Sequence, residues 1–155
     1  MITALVMAVA LTFTPAVSDD DWFDYPNPTV KGQQLHDSPI SLYQGRWYVE
    51  EDNALRYCIR QRESMHAYGA NTGTGKYRGA YQMSKEFKNG MAWMIQKEMR
   101  DEGVPKKQAI HVGRALRATP ANKWAPYYQD KAFWLGWADG QGREHWSATN
   151  WSAKC

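Results

Sequence analysis

Glu63 is the residue whose type and position suit it best to acid–base chemistry. It follows Ile59 by four residues and Leu55 by eight in a segment of helical pattern, so the three side chains share one helix face. A carboxyl group on an apolar face is costly unless it is paired, protonated or functional. The structural alternatives are an ion pair with Arg60 or a frayed, exposed helix end. As a functional group, Glu63 would be a proton donor, because a carboxyl in a partly apolar site can keep its proton long enough to act as an acid.

A glycine-rich segment, residues 69–80, follows Glu63 and contains the pair Gly75-Lys76. A phosphate-binding loop would need its first glycine at position 70 and a small hydroxyl residue directly after the lysine. Those positions hold Ala70 and Tyr77, and the segment follows a predicted helix where such a loop follows a strand. The pattern therefore excludes a nucleotide-binding loop and favours a turn that shapes a groove.

Polar, glycine and aromatic residues then follow in a distinctive order: Glu63-Ser64, Asn71-Thr72-Gly73, Gly75, Tyr77-x-Gly79-x-Tyr81-Gln82-Met83-Ser84 and Phe87. This order resembles the actinobacterial transglycosylase-like domain, the lysozyme-fold module of the resuscitation-promoting factors and of related cell-wall-cleaving proteins of actinobacteria and their phages. A cysteine near the catalytic helix and another at the end of the domain are also features of that family. The resemblance covers residues 58–87, and the rest of the chain is compatible with it without being diagnostic.

The chain departs from the family pattern in three places. The family has Gly-Gly after its Glu-Ser, where this chain has Met65-His66. Its closest members place a cysteine directly before the glutamate, whereas Cys58 precedes Glu63 by five residues. Phe87 stands where the family usually has tryptophan. These differences affect the local geometry and leave the chemistry possible.

The resemblance implies that Glu63 is the catalytic acid and that the segment after it forms the wall of a glycan groove. Thr72 and Gln82 would hydrogen-bond sugar hydroxyl or acetamido groups. Tyr77 and Tyr81 would stack on sugar faces, with core packing as the alternative for both. The remaining substrate-binding positions implied by the family are Asn71, Gly73, Gly75 and Gly79, with the glycines letting the backbone approach the glycan.

One carboxyl can suffice for this chemistry. Most glycosidases use two carboxylates across the scissile bond, but a lytic transglycosylase uses a single glutamate that protonates the leaving oxygen and then deprotonates the sugar's own 6-hydroxyl. No second acid lies in the glycine-rich segment; the next along the chain are Glu86 and Glu98, which would be the first candidates if water were the nucleophile.

The surrounding pattern predicts a mainly α protein (α+β, lysozyme-like), with a short glycine-rich hairpin or loop between its first and second helices. Helices are predicted over residues 47–65, 85–102, 105–118 and 127–138. The second carries an apolar stripe of Phe87, Met91, Ile95 and Met99, and the third buries Ala109, Val112 and Leu116. The tail from residue 140 shows no clear period.

The composition is that of a globular protein, with 43% hydrophobic and 23% charged residues in 155. A net charge of +3 does not indicate a nucleic-acid partner and suits an anionic surface such as a cell wall only weakly. Eight tryptophans and nine tyrosines exceed what one small core is expected to bury, so some should line a groove. No cofactor is predicted.

The two cysteines, Cys58 and Cys155, lie far apart in sequence and have no clustered histidines, so they do not predict a metal site. In an exported protein this even pair predicts one disulfide that ties the C-terminus to the domain. The alternative is two unrelated buried thiols.

The N-terminus predicts export. Residues 1–18 are uncharged, with an apolar block too short to span a bilayer comfortably and small residues before an Asp run. This pattern predicts a cleaved signal peptide, and the alternative is a retained apolar tail or anchor. Residues 19–46 read as an irregular extension, and residues 47–155 as the lysozyme-like transglycosylase domain. We expect the protein to be secreted or wall-associated, without a stable membrane anchor after processing, or else part of a phage virion.

Taken with the resemblance, these features predict an enzyme that cleaves the MurNAc–GlcNAc glycan strands of peptidoglycan, as a single-glutamate lytic transglycosylase. The alternatives are a lysozyme-type hydrolase of the same bond and a non-catalytic peptidoglycan-binding or phage-particle component of the same fold.

Overall fold

The computed structural model describes Pro28 and residues 39–138, 141–146 and 155. The predicted signal peptide, residues 1–18, lies outside the described residues. Four α-helices form the described chain: α1 (Asn53–Ser64), α2 (Lys85–Asp101), α3 (Lys106–Ala118) and α4 (Pro126–Trp137). The 3₁₀ turns are Glu50–Asp52, Ala121–Lys123 and Arg143–Trp146. The prediction of a mainly helical fold is confirmed.

Helix α2 forms where its apolar stripe predicts, and packs against α3 and α4. Ser84 caps its start by accepting a hydrogen bond from the Phe87 amide at 3.2 Å. Gly103 ends the turn after the helix with a φ of +86°, which a glycine adopts without steric cost. Met91, Ile95 and Met99 are buried as expected, and Phe87 is partly buried.

Helix α1 is shorter than the predicted helix over 47–65. Trp47, Tyr48 and Val49 are not helical; they are partly buried and pack against the core as a consecutive run. Val49 is extended, with φ −125° and ψ 112°, and the acidic residues after it form a 3₁₀ turn. Adjacent apolar residues cannot all face one side of a helix, which explains why this run packs outside α1.

Helix α4 lies in the middle of the core. Nine of its twelve residues are buried, including Phe133, Trp134 and Trp137 at 0% exposure. Phe133 stacks on Trp137 with ring centroids 5.3 Å apart and lies 4.8 Å from the ring of Trp146. The core therefore takes up more of the aromatic residues than the sequence suggested.

Buried charges join α1 and α4. Arg56 and Asp130 have fully buried side chains that form an ion pair at 3.4 Å. Asp130 Oδ1 also accepts hydrogen bonds from the hydroxyls of Tyr81 (2.6 Å) and Tyr68 (2.8 Å). A buried pair of this kind is stable only when further hydrogen bonds satisfy the charges, as these do.

Residues just before Trp47 belong to the same core. The amide of Leu42 donates to Asp130 Oδ2 at 2.9 Å, and the Tyr43 hydroxyl donates to Glu98 Oε1 at 2.6 Å. Ser41 and Tyr43 are buried. The packed unit therefore includes part of the chain that the sequence assigned to the 19–46 extension.

A disulfide joins Cys58 in α1 to Cys155, with the Cα atoms 5.7 Å apart. The predicted pairing is therefore present, and the C-terminal residue is tied to the helix that carries Glu63. None of the helices described is long and apolar enough to cross a bilayer.

Candidate active site

A cavity of about 500 Å³ opens beside the C-terminal end of α1. Its walls come from α1, the glycine-rich segment, the start of α2 and the turn Arg143–Trp146. Five residues predicted for the site lie together on these walls: Glu63, Thr72, Tyr77, Tyr81 and Gln82. The fold therefore assembles the proposed acid and half of the predicted substrate residues around one space.

The Glu63 side chain is 24% exposed and pairs with its neighbour Arg62. Arg62 donates twice to Oε1, from Nη2 at 2.5 Å and from Nε at 3.2 Å, whereas Oε2 accepts no hydrogen bond from the described residues. The alternative of an ion pair between Glu63 and Arg60 does not form. The Arg60 guanidinium is instead buried, 4.5 Å from the centroid of the Tyr68 ring. Among the described residues that line the cavity, Glu63 is the only carboxyl.

The turn that leaves α1 has the left-handed backbone that glycines favour. Met65 has a φ of +51° and His66 of +64°, the two positions where the family has Gly-Gly. The amide of Met65 bonds to Gln61 O and that of His66 to Arg60 O, which closes the helix end. His66 is buried and stacks on Tyr57 at 4.1 Å between centroids. Two successive non-glycine residues in this conformation therefore add backbone strain to the turn.

Thr72 and Tyr77 are joined within the glycine-rich segment. The Thr72 hydroxyl donates to Tyr77 O at 3.1 Å and accepts from the Tyr77 amide at 3.3 Å. This pairing presents Tyr77, 40% exposed, at the cavity wall. The segment contains isolated antiparallel bridges, Asn71 with Arg78 and Arg78 with Met83, in place of a longer hairpin ladder.

Gln82 brings an unused hydrogen-bonding atom to the cavity wall. Its Nε2 donates to Gly79 O at 2.8 Å, while its buried Oε1 accepts no hydrogen bond from the described residues. The residue holds a φ of +46°, which is uncommon for a non-glycine residue. A buried acceptor without a donor is costly, and because this oxygen is closed to solvent, a ligand N–H or O–H can reach it only after the side chain turns toward the cavity.

Tyr81 lies at the floor of the cavity and is 1% exposed. Its ring stacks on Phe133 at 4.9 Å between centroids, and its hydroxyl accepts from Arg56 while donating to Asp130. Burial, with the nearby Asp130 charge, raises the pKa of Tyr81 well above its ordinary value, so the hydroxyl stays a donor. This environment favours the core alternative for Tyr81.

The other predicted substrate residues lie away from this cavity. Asn71 and Gly73 are exposed, and Gly75 lines a different cavity. Gly79 is buried with a φ of +82°, and a Cβ there would come within 2.5 Å of Gln129 Oε1. Gly79 is thus required for packing against α4, where Gln129 also accepts from the Ala80 amide at 2.8 Å.

The candidate second acids also lie elsewhere. Glu98 is 4% exposed and is bonded to Tyr43 and paired with Lys131 at 3.2 Å. Glu86 is exposed in the first turn of α2 and does not line the cavity.

His145 and Trp146 line the cavity but were not predicted from the sequence. Trp146 is 5% exposed, and its Nε1 donates to Tyr81 O at 3.2 Å. His145 is exposed and lies 4.7 Å from the ring of Phe87, another lining residue. Their tail has no periodicity, so only the presence of a large aromatic residue hinted at a role.

The described residues contain no cluster of His, Cys, Asp and Glu that could hold a metal ion. Comparisons of the chain with protein-family models, with curated proteins and with solved structures found no match in any of the three.

Proposed function

We propose that this protein cleaves the MurNAc–GlcNAc glycan strands of peptidoglycan, with Glu63 as the proton donor. The observation that carries the proposal is the shared cavity of Glu63, Thr72, Tyr77 and Gln82. Cleavage of a glycosidic bond needs an acid such as a carboxyl group, and an exposed aromatic face and polar side chains suit the binding of a sugar.

In the proposed reaction, Glu63 gives its proton to the glycosidic oxygen as the bond from that oxygen to the anomeric carbon breaks. The sugar's own 6-hydroxyl then closes onto the anomeric carbon, and the Glu63 carboxylate takes the hydroxyl proton. The products are a 1,6-anhydro sugar and a new free hydroxyl end, and Glu63 is again protonated. No water is consumed.

The single carboxyl on the described walls supports this route over hydrolysis. A hydrolase of the inverting or retaining kind needs a second carboxylate within about 10 Å of the first. Glu98 is committed to Tyr43 and Lys131 in the core, which removes it as that second group.

We propose an exported or wall-associated protein with a lysozyme-like domain of the transglycosylase type, or the same domain in a phage particle. The disulfide supports export, since such bonds persist in oxidising surroundings.

A second candidate is a glycan-binding protein without turnover. The observation that favours it is the Arg62 guanidinium on Glu63 Oε1, because this contact gives the carboxyl group a structural partner within the protein. In that case the cavity would bind the glycan through Tyr77 and Gln82 alone.

Incubation of the purified protein with isolated sacculi, followed by mass analysis of the released muropeptides, tests both candidates. Release of 1,6-anhydro ends supports the transglycosylase, and release of reducing ends indicates hydrolysis. Binding to sacculi without release of any fragment supports the second candidate.

A further inference from the structure

A second cavity, of about 280 Å³, adjoins the first. It lies between the glycine-rich segment, the start of α2 and the chain that leaves α3. Met83 and Ser84 line both cavities, so the two spaces lie next to each other on either side of these residues.

This second cavity is strongly cationic. None of the described residues on its walls is acidic. Five basic side chains line it: Lys76, Arg78, Lys85, Lys88 and Arg117. The chain as a whole carries only three more basic than acidic residues, so this concentration is local. A cavity lined by one sign of charge attracts ligands of the opposite sign.

Lys88 and Arg117 are each held by several contacts within the protein. Lys88 Nζ donates to the carbonyls that end α3, at 2.6 Å to Arg117 O and 3.2 Å to Thr119 O. The Arg117 guanidinium donates to Gln96 Oε1 at 3.1 Å and lies 3.6 Å from the Trp93 ring centroid. The acceptors in these contacts are neutral oxygens, so the two positive charges are held in place but are not paired with a negative charge.

Arg78 is better placed to bind a ligand. Its Nε donates to Gly75 O at 3.0 Å, and the described residues give it no ion pair. Lys76 and Lys85 are exposed at the rim. The guanidinium therefore keeps donors of the geometry that suits a carboxylate or a phosphate.

The charges in the cavity repel one another. Burial lowers the pKa of Lys88, and the positive charges of Lys85 and Arg117 lower it further. Outside the cavity, hydrogen bonds from its own backbone amide and from Ser84 lower the pKa of the Glu86 carboxyl, and the charges of Lys85 and Lys76 lower it to a smaller extent. An anion bound inside the cavity would relieve the remaining repulsion.

We propose that this cavity is a subsite for a carboxylate of the peptide stem that the glycan in the first cavity carries. The proposal rests on the proposed function, because peptidoglycan bears peptides with free carboxylates on its muramic sugar. The apolar part of the wall, formed by Met83, Ala118, Pro120 and Ala121, suits the aliphatic side chains of a peptide better than a phosphate polymer.

Amide NMR titrations test the subsite without requiring glycan cleavage. The probes are an alanyl-glutamate dipeptide with free carboxylates, the same dipeptide with its carboxylates amidated, and a glycerol phosphate oligomer. The test variants are Arg78→Gln and Lys76→Gln; the second changes an exposed side chain, so we expect it to fold like the wild type. Lys106→Gln is the control, since it removes an equal charge from an exposed position that lines neither cavity.

The free dipeptide should shift the amides of residues 76–78, 84–85 and 117–119 saturably, and the amidated form should not. Each test variant should bind the free dipeptide about fivefold more weakly or worse than the wild type does. The affinity of Lys106→Gln for the dipeptide should lie within about twofold of that of the wild type. Equal shifts from the amidated dipeptide, no shifts, or equal affinities in all variants would overturn the proposal. Shifts from the phosphate oligomer alone would overturn the assignment to a peptide carboxylate.

The sacculus assay separates this inference from the proposed function. Specific dipeptide binding by a protein that cleaves no sacculi would leave the subsite standing and remove the enzymatic activity. Cleavage of sacculi by a protein that does not bind the dipeptide would support the enzymatic activity and remove the subsite.

Discussion

Arg62 links Glu63 to Trp146, another residue that lines the candidate active site. Its Nη2 lies 2.5 Å from Glu63 Oε1 and 3.0 Å from the carbonyl oxygen of Trp146. One guanidinium therefore sets the position of the proposed acid and of the turn Arg143–Trp146 together. This contact allows either of two roles, holding the acid in place for catalysis or only joining α1 to the turn.

Replacement of Arg62 distinguishes these roles. If Arg62 positions the acid, Arg62→Gln should lower the rate of sacculus solubilisation by about tenfold or more, because small displacements of catalytic groups are costly. Arg100→Gln, at an exposed site on α2, is the control for loss of a positive charge. A rate for Arg62→Gln equal to or above that of the wild type would contradict the positioning role.

Tyr77 is the exposed aromatic ring at the cavity wall, and we expect it to stack on a sugar. Tyr77→Ala should weaken glycan-fragment binding by roughly fivefold, the equivalent of about 1 kcal/mol for a lost ring contact. Calorimetry in a Glu63→Gln background keeps the fragment intact. Tyr77→Phe retains the ring, so it should bind the glycan fragment as tightly as the Glu63→Gln protein with Tyr77 does. If Tyr77→Phe weakens binding as much as Tyr77→Ala does, stacking is not the cause.

The strained turn after α1 predicts a stabilising substitution. Met65 is 77% exposed and has a φ of +51°, so Met65→Gly removes strain while giving up little buried surface. The free energy of unfolding should rise by about 0.5–1 kcal/mol in urea denaturation. Met94→Gly, in the interior of α2, should lower it by about 1 kcal/mol. A loss of stability on Met65→Gly would show that the turn depends on the methionine side chain.

The disulfide predicts a large loss of stability on its removal. Cys58 and Cys155 are 97 residues apart, and closing such a loop stabilises a fold by up to about 4–5 kcal/mol in the chain-entropy model. The double substitution Cys58→Ser, Cys155→Ser should show most of that loss, and wild-type protein treated with reductant should match it. Peptide mapping that finds two alkylatable thiols in exported material would disprove the bond.

The helices were the part of the fold most accessible from the sequence. The stripe of Met91, Ile95 and Met99 predicts α2 because local spacing alone decides which face is buried. Arg56 and Arg60 are fully buried in α1, which no hydrophobic pattern indicates. Arg56 depends on Asp130, 74 residues away, and such a partner is visible only after folding.

Only part of the candidate site could be predicted from the sequence. Glu63, Thr72, Tyr77 and Gln82 lie in an ordered motif, and the fold gathers them at one cavity. Gly79 fits the same motif, but its place is decided by Gln129 on a distant helix. His145 reaches the cavity through tertiary packing of an aperiodic tail, and local pattern carries no information about that.

The rate of sacculus cleavage by Glu63→Gln tests the central claim most directly. Glutamine keeps the shape of the side chain but has no proton to give, and general acid catalysis is worth about 100- to 10,000-fold. We predict a fall of that size, with unchanged thermal stability and retained binding to sacculi, and no fall for Glu51→Gln at an exposed site outside the cavity. Cleavage by Glu63→Gln at the wild-type rate would contradict the assignment of Glu63 as the proton donor.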